Sequence, residues 1–431
     1  MTSITGFRIP RVLLIILALA VALRIGYLLI AGHTLSLQAS GYDVYATNML
    51  SGQGYTRYAD RTADSDLPPL YPFLLAGIYT ILGRSPISVA IVQIGFDVIT
   101  LIAIYAIGRR VGGERVGLLA AAFTGFYPYL LFQNLSTNDT AVFIMLLTLG
   151  VWGAYTAVDR RAWKWAAFCG LIFGLGALTK SLVILMLPLF ALWWWRQMGF
   201  QNAVKYTLAL GITFGAVLLP WIIRNTQLHG TLTFISTNDG SNLYQGNNPC
   251  VADYFFNGWD AQWVNCLEPT PEGLSEIAEA NWFRDQAIRY LLDHPADIPR
   301  LMLAKFITLW SPELLPRTVP PDAALDDPAV LQYEQPLFQA ARVVHLLYFT
   351  PLLILSLVGL WRGFRTHQLT GMYAPLLIVI TGITVAYLIY HPSTRYRSPA
   401  DPFVFVLSAV AVDYWWMKLR NPAKNTGGVP T

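Results

Sequence analysis

Charge is what this sequence has least of. Asp, Glu, Lys and Arg make up 13% of its 431 residues, against 55% hydrophobic ones. A soluble domain carries about twice that charge. A soluble globular chain is therefore excluded, and several apolar runs reach or approach the ~20 residues that cross a bilayer. The net charge of +4 is too small to point to nucleic acid, and positive charge is better read as topology. The sequence shows no internal repeat, which weighs against transporter folds built from duplicated halves. His33, His229, His294 and His391 lack metal-ligand spacing, so no histidine-rich metal site is expected. The first apolar run, 12–32, lacks a short core with a small-residue cleavage site, so a retained span is expected rather than a signal peptide. Only three cysteines occur. Cys169 lies in an apolar span and is expected to be inert. Cys250 and Cys266 share a long polar loop. They pair if that loop faces an oxidising compartment and stay free thiols otherwise.

The expected fold class is an all-α polytopic membrane protein. Ten full spans are expected: 12–32, 87–108, 116–134, 138–157, 163–181, 182–199, 204–223, 339–361, 371–391 and 401–418. With that count the basic clusters fall on one side: Arg8 and Arg11; Arg109, Arg110 and Arg115; Arg160, Arg161 and Lys164; Arg196 and Lys205; Arg362 and Arg365; Lys418, Arg420 and Lys424. That side is cytoplasmic by the positive-inside rule, and both termini lie there. Two further apolar stretches, 68–83 and 298–312, are short. Counting one as a span inverts every cluster after it. Counting both rescues only the C-terminal clusters. Both are therefore read as helices on the outer face. The chain divides into a transmembrane module, 1–223, with an outer loop at 33–86; an outer loop region, 224–338; C-terminal spans, 339–418; and a polar, disordered cytoplasmic tail, 419–431. Within the outer region, 273–295 has the period of an amphipathic helix.

This topology brings the unusual residues to one membrane level. Asp43, Asp60, Asp64 and Asp66 lie in the first outer loop. Thr137, Asn138 and Asp139 open the fourth span, and Lys180 closes the fifth. Arg224 and Asn225 follow the seventh, and Arg395 and Arg397 the ninth. Acids beside cations at a membrane surface suit a lipid-phosphate substrate: the cations hold phosphate and a carboxylate activates a hydroxyl. Arg395 and Arg397, two apart in a segment read as extended, are expected to project to one side. Each candidate has a plainer reading. Asp43 and Asp139 (or Asn138) can cap a helix, Lys180 can snorkel, and Arg224 can anchor at the interface. "STNDGSNLYQGNNP" can be a structural loop. Arg24, Asp97, Arg342 and His345 lie within spans, where ionisable groups are functional or paired; their pairs are not legible.

Five stretches, in order, carry a resemblance: "GYDVYATNMLSGQGY" (41–55), "PPLYPFLLAGIY" (68–79), "GLIFGLGALTKS" (170–181), "PWIIRNTQLHGTLTFISTNDGSNLYQGNNP" (220–249) and "STRYRSPADPFVFVLSA" (393–409). Together they resemble bacterial membrane glycosyltransferases of the family 39 type, relatives of protein mannosyltransferases and of the lipid A aminoarabinose transferase. The resemblance implies the C-type glycosyltransferase fold, with surface helices and a small outer loop domain. It implies an inverting enzyme in the plasma (inner) membrane that uses a polyprenyl-phosphate-linked sugar at the outer face. The acceptor would be a lipid, a glycan or a protein, and membrane lipids surround the chain. Asp43 falls where the family keeps its base, and Asp139 is a second acid that positions acceptor or metal. Lys180, Arg224, Arg395 and Arg397 are the implied phosphate ligands. Tyr45, Tyr71 and Asn247 are candidates for substrate contact. A divalent metal is left open, with Asp66 its candidate ligand. Leu67 departs from the lysine that some relatives carry at this junction. A flippase for lipid-linked sugars, or an O-antigen polymerase or ligase, are the competing readings. The first needs charges through the membrane centre, and the second lacks a first-loop Asp followed by "PPLYP".

Overall fold

In a computed structural model of the chain, the structure describes residues 10–37, 41–58, 63–261, 266–320 and 333–420. Arg8, Asp60, Lys424 and the tail beyond Arg420 lie outside them. All regular elements among the described residues are helical. In chain order they are α1 (Arg11–Ala31), α2 (Tyr42–Leu50), α3 (Leu70–Leu82), α4 (Pro86–Gly112), α5 (Glu114–Gly125), α6 (Pro128–Leu135), α7 (Thr140–Arg160) and α8 (Trp163–Ala177). After them come α9 (Leu187–Met198), α10 (Phe200–His229), α11 (Asp239–Gly246), α12 (Val251–Asn257), α13 (Glu276–Asp293) and α14 (Ile298–Trp310). The chain closes with α15 (Pro336–Arg365), α16 (Ala374–Ile389), α17 (Thr394–Arg397) and α18 (Asp401–Arg420).

Among the described residues seven helical segments are long and apolar enough to span a membrane, and the pair α5–α6 makes an eighth if its two parts are one span. The stretch expected as a straight span over 116–134 is therefore a bent pair. It turns by 58° where Pro128 opens α6 and cannot donate to the preceding turn. The segments expected to span at 163–181 and 371–391 are shorter apolar helices, α8 and α16. The apolar helix α3 has 13 residues, about 20 Å at 1.5 Å per residue, too short for a hydrocarbon core of about 30 Å. The helix expected over 273–295 is α13, capped by the Ser275 side chain on the Ala278 amide.

Packing follows from small residues and buried pairs. Gly170 and Gly174 lie on the face of α8 that meets α10. A Cβ on Gly170 would overlap the Leu210 carbonyl and the Thr213 hydroxyl, and one on Gly174 would press on Val217. Two small residues four apart let helix backbones approach closely. Thr213 Oγ1 donates to the Ala167 carbonyl (2.8 Å) across the same contact. Arg24 finds its partner in Asp97 (2.5 Å), which also accepts from Asn134 Nδ2 (2.5 Å), so α1, α4 and α6 are tied by a paired charge. Arg342 bonds Tyr333, Gln339 and the Arg317 carbonyl, and His345 stacks on Phe349 (5.4 Å).

The helix ends sort by chemistry. At one end of the bundle Arg110 pairs with Asp159 (2.6 Å) and Arg115 with Asp413 (2.9 Å). There Trp193 donates to the Gly371 carbonyl (3.0 Å), and Tyr155 bonds the Met372 carbonyl. These are the connections that carry the basic clusters. The outer-loop residues meet at the other end, where the Leu70 amide donates to the Leu178 carbonyl (3.0 Å). In this region Cys250 and Cys266 form a disulfide.

Candidate active site

The centre of the site is set by the start of α7. Asn138, not Asp139, caps this helix, its Oδ1 accepting from the Thr140 amide (2.9 Å). Asp139 is left free to take cations. Lys180 lies 2.7 Å from one carboxylate oxygen and Arg395 2.7 Å from the other. Tyr42, in the first turn of α2, donates its hydroxyl to the same carboxylate (3.2 Å). Three distant segments thus meet on an acid that is 1% exposed. Burial would raise the Asp139 pKa, but Lys180 and Arg395 outweigh it and hold it at about 2. Burial lowers Lys180, with Asp139 opposing. For Arg395 burial is outweighed by Asp139, and its pKa is raised. Its Nε is buried with no partner among the described residues. The Tyr396 ring covers Lys180 (5.6 Å) and stacks on Tyr387 (4.7 Å).

Asp43 is the residue after Tyr42 and takes a different direction. Its carboxylate accepts from the Tyr79 hydroxyl (2.8 Å) and, bidentately, from Arg84 Nε (3.0 Å) and a terminal Arg84 nitrogen (2.6 Å). It does not cap α2; the cap residue is Gly41, whose φ of 72° suits glycine. The Asp43 side chain is 3% exposed and that of Arg84 50%. Burial opposes ionisation of Asp43, but the bonds from Arg84 and Tyr79 lower its pKa. Sequence reasoning missed Arg84 and Tyr79. A signal existed for Arg84: it stands alone between α3 and α4, an arginine on the side that the positive-inside rule leaves poor in arginine.

The other expected ligands lie elsewhere, because they are consumed by packing. Arg397 is not on the same side as Arg395. Residues 394–397 form a helical turn rather than an extended segment, and two steps along a helix turn a side chain to the far side. Arg397 is fully buried, bonded to Asp401 (3.1 Å) and the Ser311 carbonyl (2.6 Å), and it lies 3.9 Å over Phe349. Arg224 holds the first loop onto α10 through the Asp64 carbonyl (2.5 Å), the Ser65 hydroxyl (3.0 Å) and Asn225 (2.9 Å). Tyr45 is fully buried and donates to Asp64 (2.6 Å); Tyr71 donates to Gln93 (2.9 Å). Asn247 accepts from buried Lys305 (2.9 Å) and donates to the Ile389 carbonyl (2.8 Å). In this structure these three side chains are bonded within the walls of the site. Asp66 pairs with Arg57 (3.1 Å), and burial raises its pKa against that pairing. Among the described residues no three His, Cys, Asp or Glu side chains come together to hold a metal.

The fold is that of the C-type glycosyltransferases, all-helical among the described residues, with seven or eight apolar candidate spans among them. Residues 66–223 match the family model described as dolichyl-phosphate-mannose-protein mannosyltransferase, a family of glycosyltransferases. That segment holds Asp66, Tyr71, Asp139 and Lys180, and it excludes Asp43, Arg224, Asn247, Arg395 and Arg397. The structure is similar to the oligosaccharyltransferase of Archaeoglobus fulgidus in its apo form, at 12% identity and a TM-score of 0.53, over 97% of this chain and 52% of that one. It is equally similar to the archaeal oligosaccharyltransferase AglB from the same organism in complex with an inhibitory peptide and a dolichol-phosphate, at 14% identity and a TM-score of 0.54, with the same coverage. A complex of that enzyme with Zn and sulfate matches at 14% identity and a TM-score of 0.54, over 95% of this chain and 49% of that one. The chain thus spans about half the length of the solved structures it matches. No curated protein sequence matches it.

Proposed function

We propose that the protein is an inverting glycosyltransferase. It moves a sugar from a polyprenyl-phosphate-linked donor to a hydroxyl or amine of a lipid, glycan or protein acceptor at the outer face of the plasma membrane. The observation that carries this reading is the Asp139 cluster, with Lys180 and Arg395 each at 2.7 Å and Tyr42 linking it to the turn that bears Asp43. Two cations against one carboxylate leave the cluster positive, and the unpartnered Arg395 Nε retains a donor. Such groups suit a phosphate. The dolichol-phosphate and sulfate held by the archaeal neighbour support the same ligand chemistry.

Asp43 accepts the proton of the acceptor O–H or N–H as that atom attacks the anomeric carbon opposite the phosphate. The new bond forms as the bond from that carbon to the phosphate oxygen breaks. Its electron pair stays on the oxygen, so polyprenyl phosphate departs with one more negative charge, which Lys180 and Arg395 stabilise. A single displacement inverts the anomeric centre. Asp139, held ionised between two cations, orients them and takes no proton.

The test is transfer by the purified chain from a panel of polyprenyl-phosphate hexoses and pentoses. Wild type is expected to release polyprenyl phosphate. Asp43→Asn is expected to lose about 10²–10⁴-fold in turnover while its melting temperature is kept. Equal turnover of the two proteins would remove Asp43 from the role of base.

A further inference from the structure

Asp43 poses a problem for its own chemistry. Three donors already bond its carboxylate, Arg84 at both oxygens and Tyr79 at one of them, and together they lower its basicity. The two partners are held differently. Tyr79 sits within α3 and is 6% exposed. Arg84 projects from the short link between α3 and α4, after Gly83, whose φ of 82° and open surroundings leave the link unpacked. Half of the Arg84 side chain faces solvent. With that exposure the guanidinium can swing to a second anion without vacating a packed site. No other side chain competes for Arg84 among the contacts of the described residues.

We propose that Arg84 is a hand-over residue: it leaves the Asp43 carboxylate for the phosphate of the polyprenyl-linked donor, so that arrival of the substrate frees the base. This rests on the transferase reading of the same site. The exchange runs in the direction of the reaction. The departing phosphate gains a negative charge as the glycosidic bond breaks, so its hold on a bidentate guanidinium grows. The carboxylate loses its cation at the stage when it must accept a proton. Before the donor arrives, the arginine keeps the acid ionised and occupied, which guards against activation of water. Arg84 on this view touches the leaving group, alongside Lys180 and Arg395.

Binding of a short-chain polyprenyl monophosphate to the full chain in nanodiscs tests this, through a double-mutant cycle. Arg84→Gln is expected to weaken binding about tenfold or more, with Arg84→Lys in between. Asp43→Asn is expected to tighten it about three- to tenfold, because the competing carboxylate is gone. The double variant should match Arg84→Gln. A variant that misfolds cannot gain affinity, so the tightening is the discriminating readout. A structural ion pair predicts that Asp43→Asn binds no more tightly than wild type, and that result overturns the proposal. Inorganic phosphate binding as tightly as the lipid would overturn the lipid assignment. Turnover is read separately. The expected cycle without transfer from any donor faults the transferase reading and upholds the exchange. Loss of transfer in Asp43→Asn with a flat cycle does the reverse.

Discussion

With Lys180 and Arg395 each 2.7 Å away, the Asp139 carboxylate takes up a proton only near pH 2, whereas unfolded it does so near 3.8. The unfolded chain therefore binds the proton first. The stability this adds is complete above about pH 3.8 and is lost as pH falls towards 2, and it amounts to about 2 kcal/mol. Melting temperature in detergent should hold from neutral pH to about 4 and then fall, a step that Asp139→Asn lacks. That variant also strands Lys180, 12% exposed, while Arg395, 31% exposed, can turn to water, so it should be less stable at neutral pH by about 3 kcal/mol. Identical curves for the two proteins between pH 4 and 2 would take the carboxylate out of both pairs. The candidates Asp43, Asp139, Lys180 and Arg395 were legible as residues because polar groups at the end of apolar spans are rare and costly. Their partners were not. Nothing in "TND" says that Asn138 takes the capping role and frees Asp139. Nor does "IRN" say that Arg224 spends its guanidinium on loop carbonyls. Those outcomes depend on which backbone groups three distant segments leave unsatisfied.

At the scale of elements, hydrophobic run length located each apolar helix but not its breaks. Pro128 bends the α5–α6 pair by 58°, and a single-turn helix replaces the extended segment expected at 394–397. Both follow from local hydrogen-bonding choices that a 20-residue hydropathy window averages away. That single turn separates Arg395 from Arg397, sending the first to Asp139 and the second into the core against Phe349. The contact of α8 with α10 matters to the site because α8 ends three residues before Lys180. A Cβ on Gly170 would meet the Leu210 carbonyl, which is backbone and cannot step aside. Gly170→Val should push α10 away and displace Lys180. The expected result is destabilisation of about 1–3 kcal/mol, read as a lower melting temperature, with a larger loss of transfer activity than Gly211→Val, whose position is open. Equal effects at the two glycines would show that the close approach carries no weight.

For the whole molecule the decisive property is that its two ends differ. One end holds Arg110–Asp159 and Arg115–Asp413 beside the turn at Gly371. The other holds the Asp139 cluster, Asp43 with Arg84, and the loop helices joined by the Cys250–Cys266 disulfide. The proposed orientation places the first end in the cytoplasm, in line with the positive-inside bias, and the disulfide in an oxidising compartment. A lipid-phosphate donor presented at the outer leaflet would then meet the site at headgroup depth. Single cysteines read this directly, because the native thiols give little background: Cys169 is buried and the other two are paired. Glu272 and Thr366 are exposed, the first in the loop that precedes α13 and the second after α15. In intact cells a membrane-impermeant maleimide should label Glu272→Cys and spare Thr366→Cys, which should react only after the membrane is opened. Labelling of Thr366→Cys alone would turn the molecule over. It would put the Asp139 cluster on the cytoplasmic side, where a donor at the outer leaflet could not reach it.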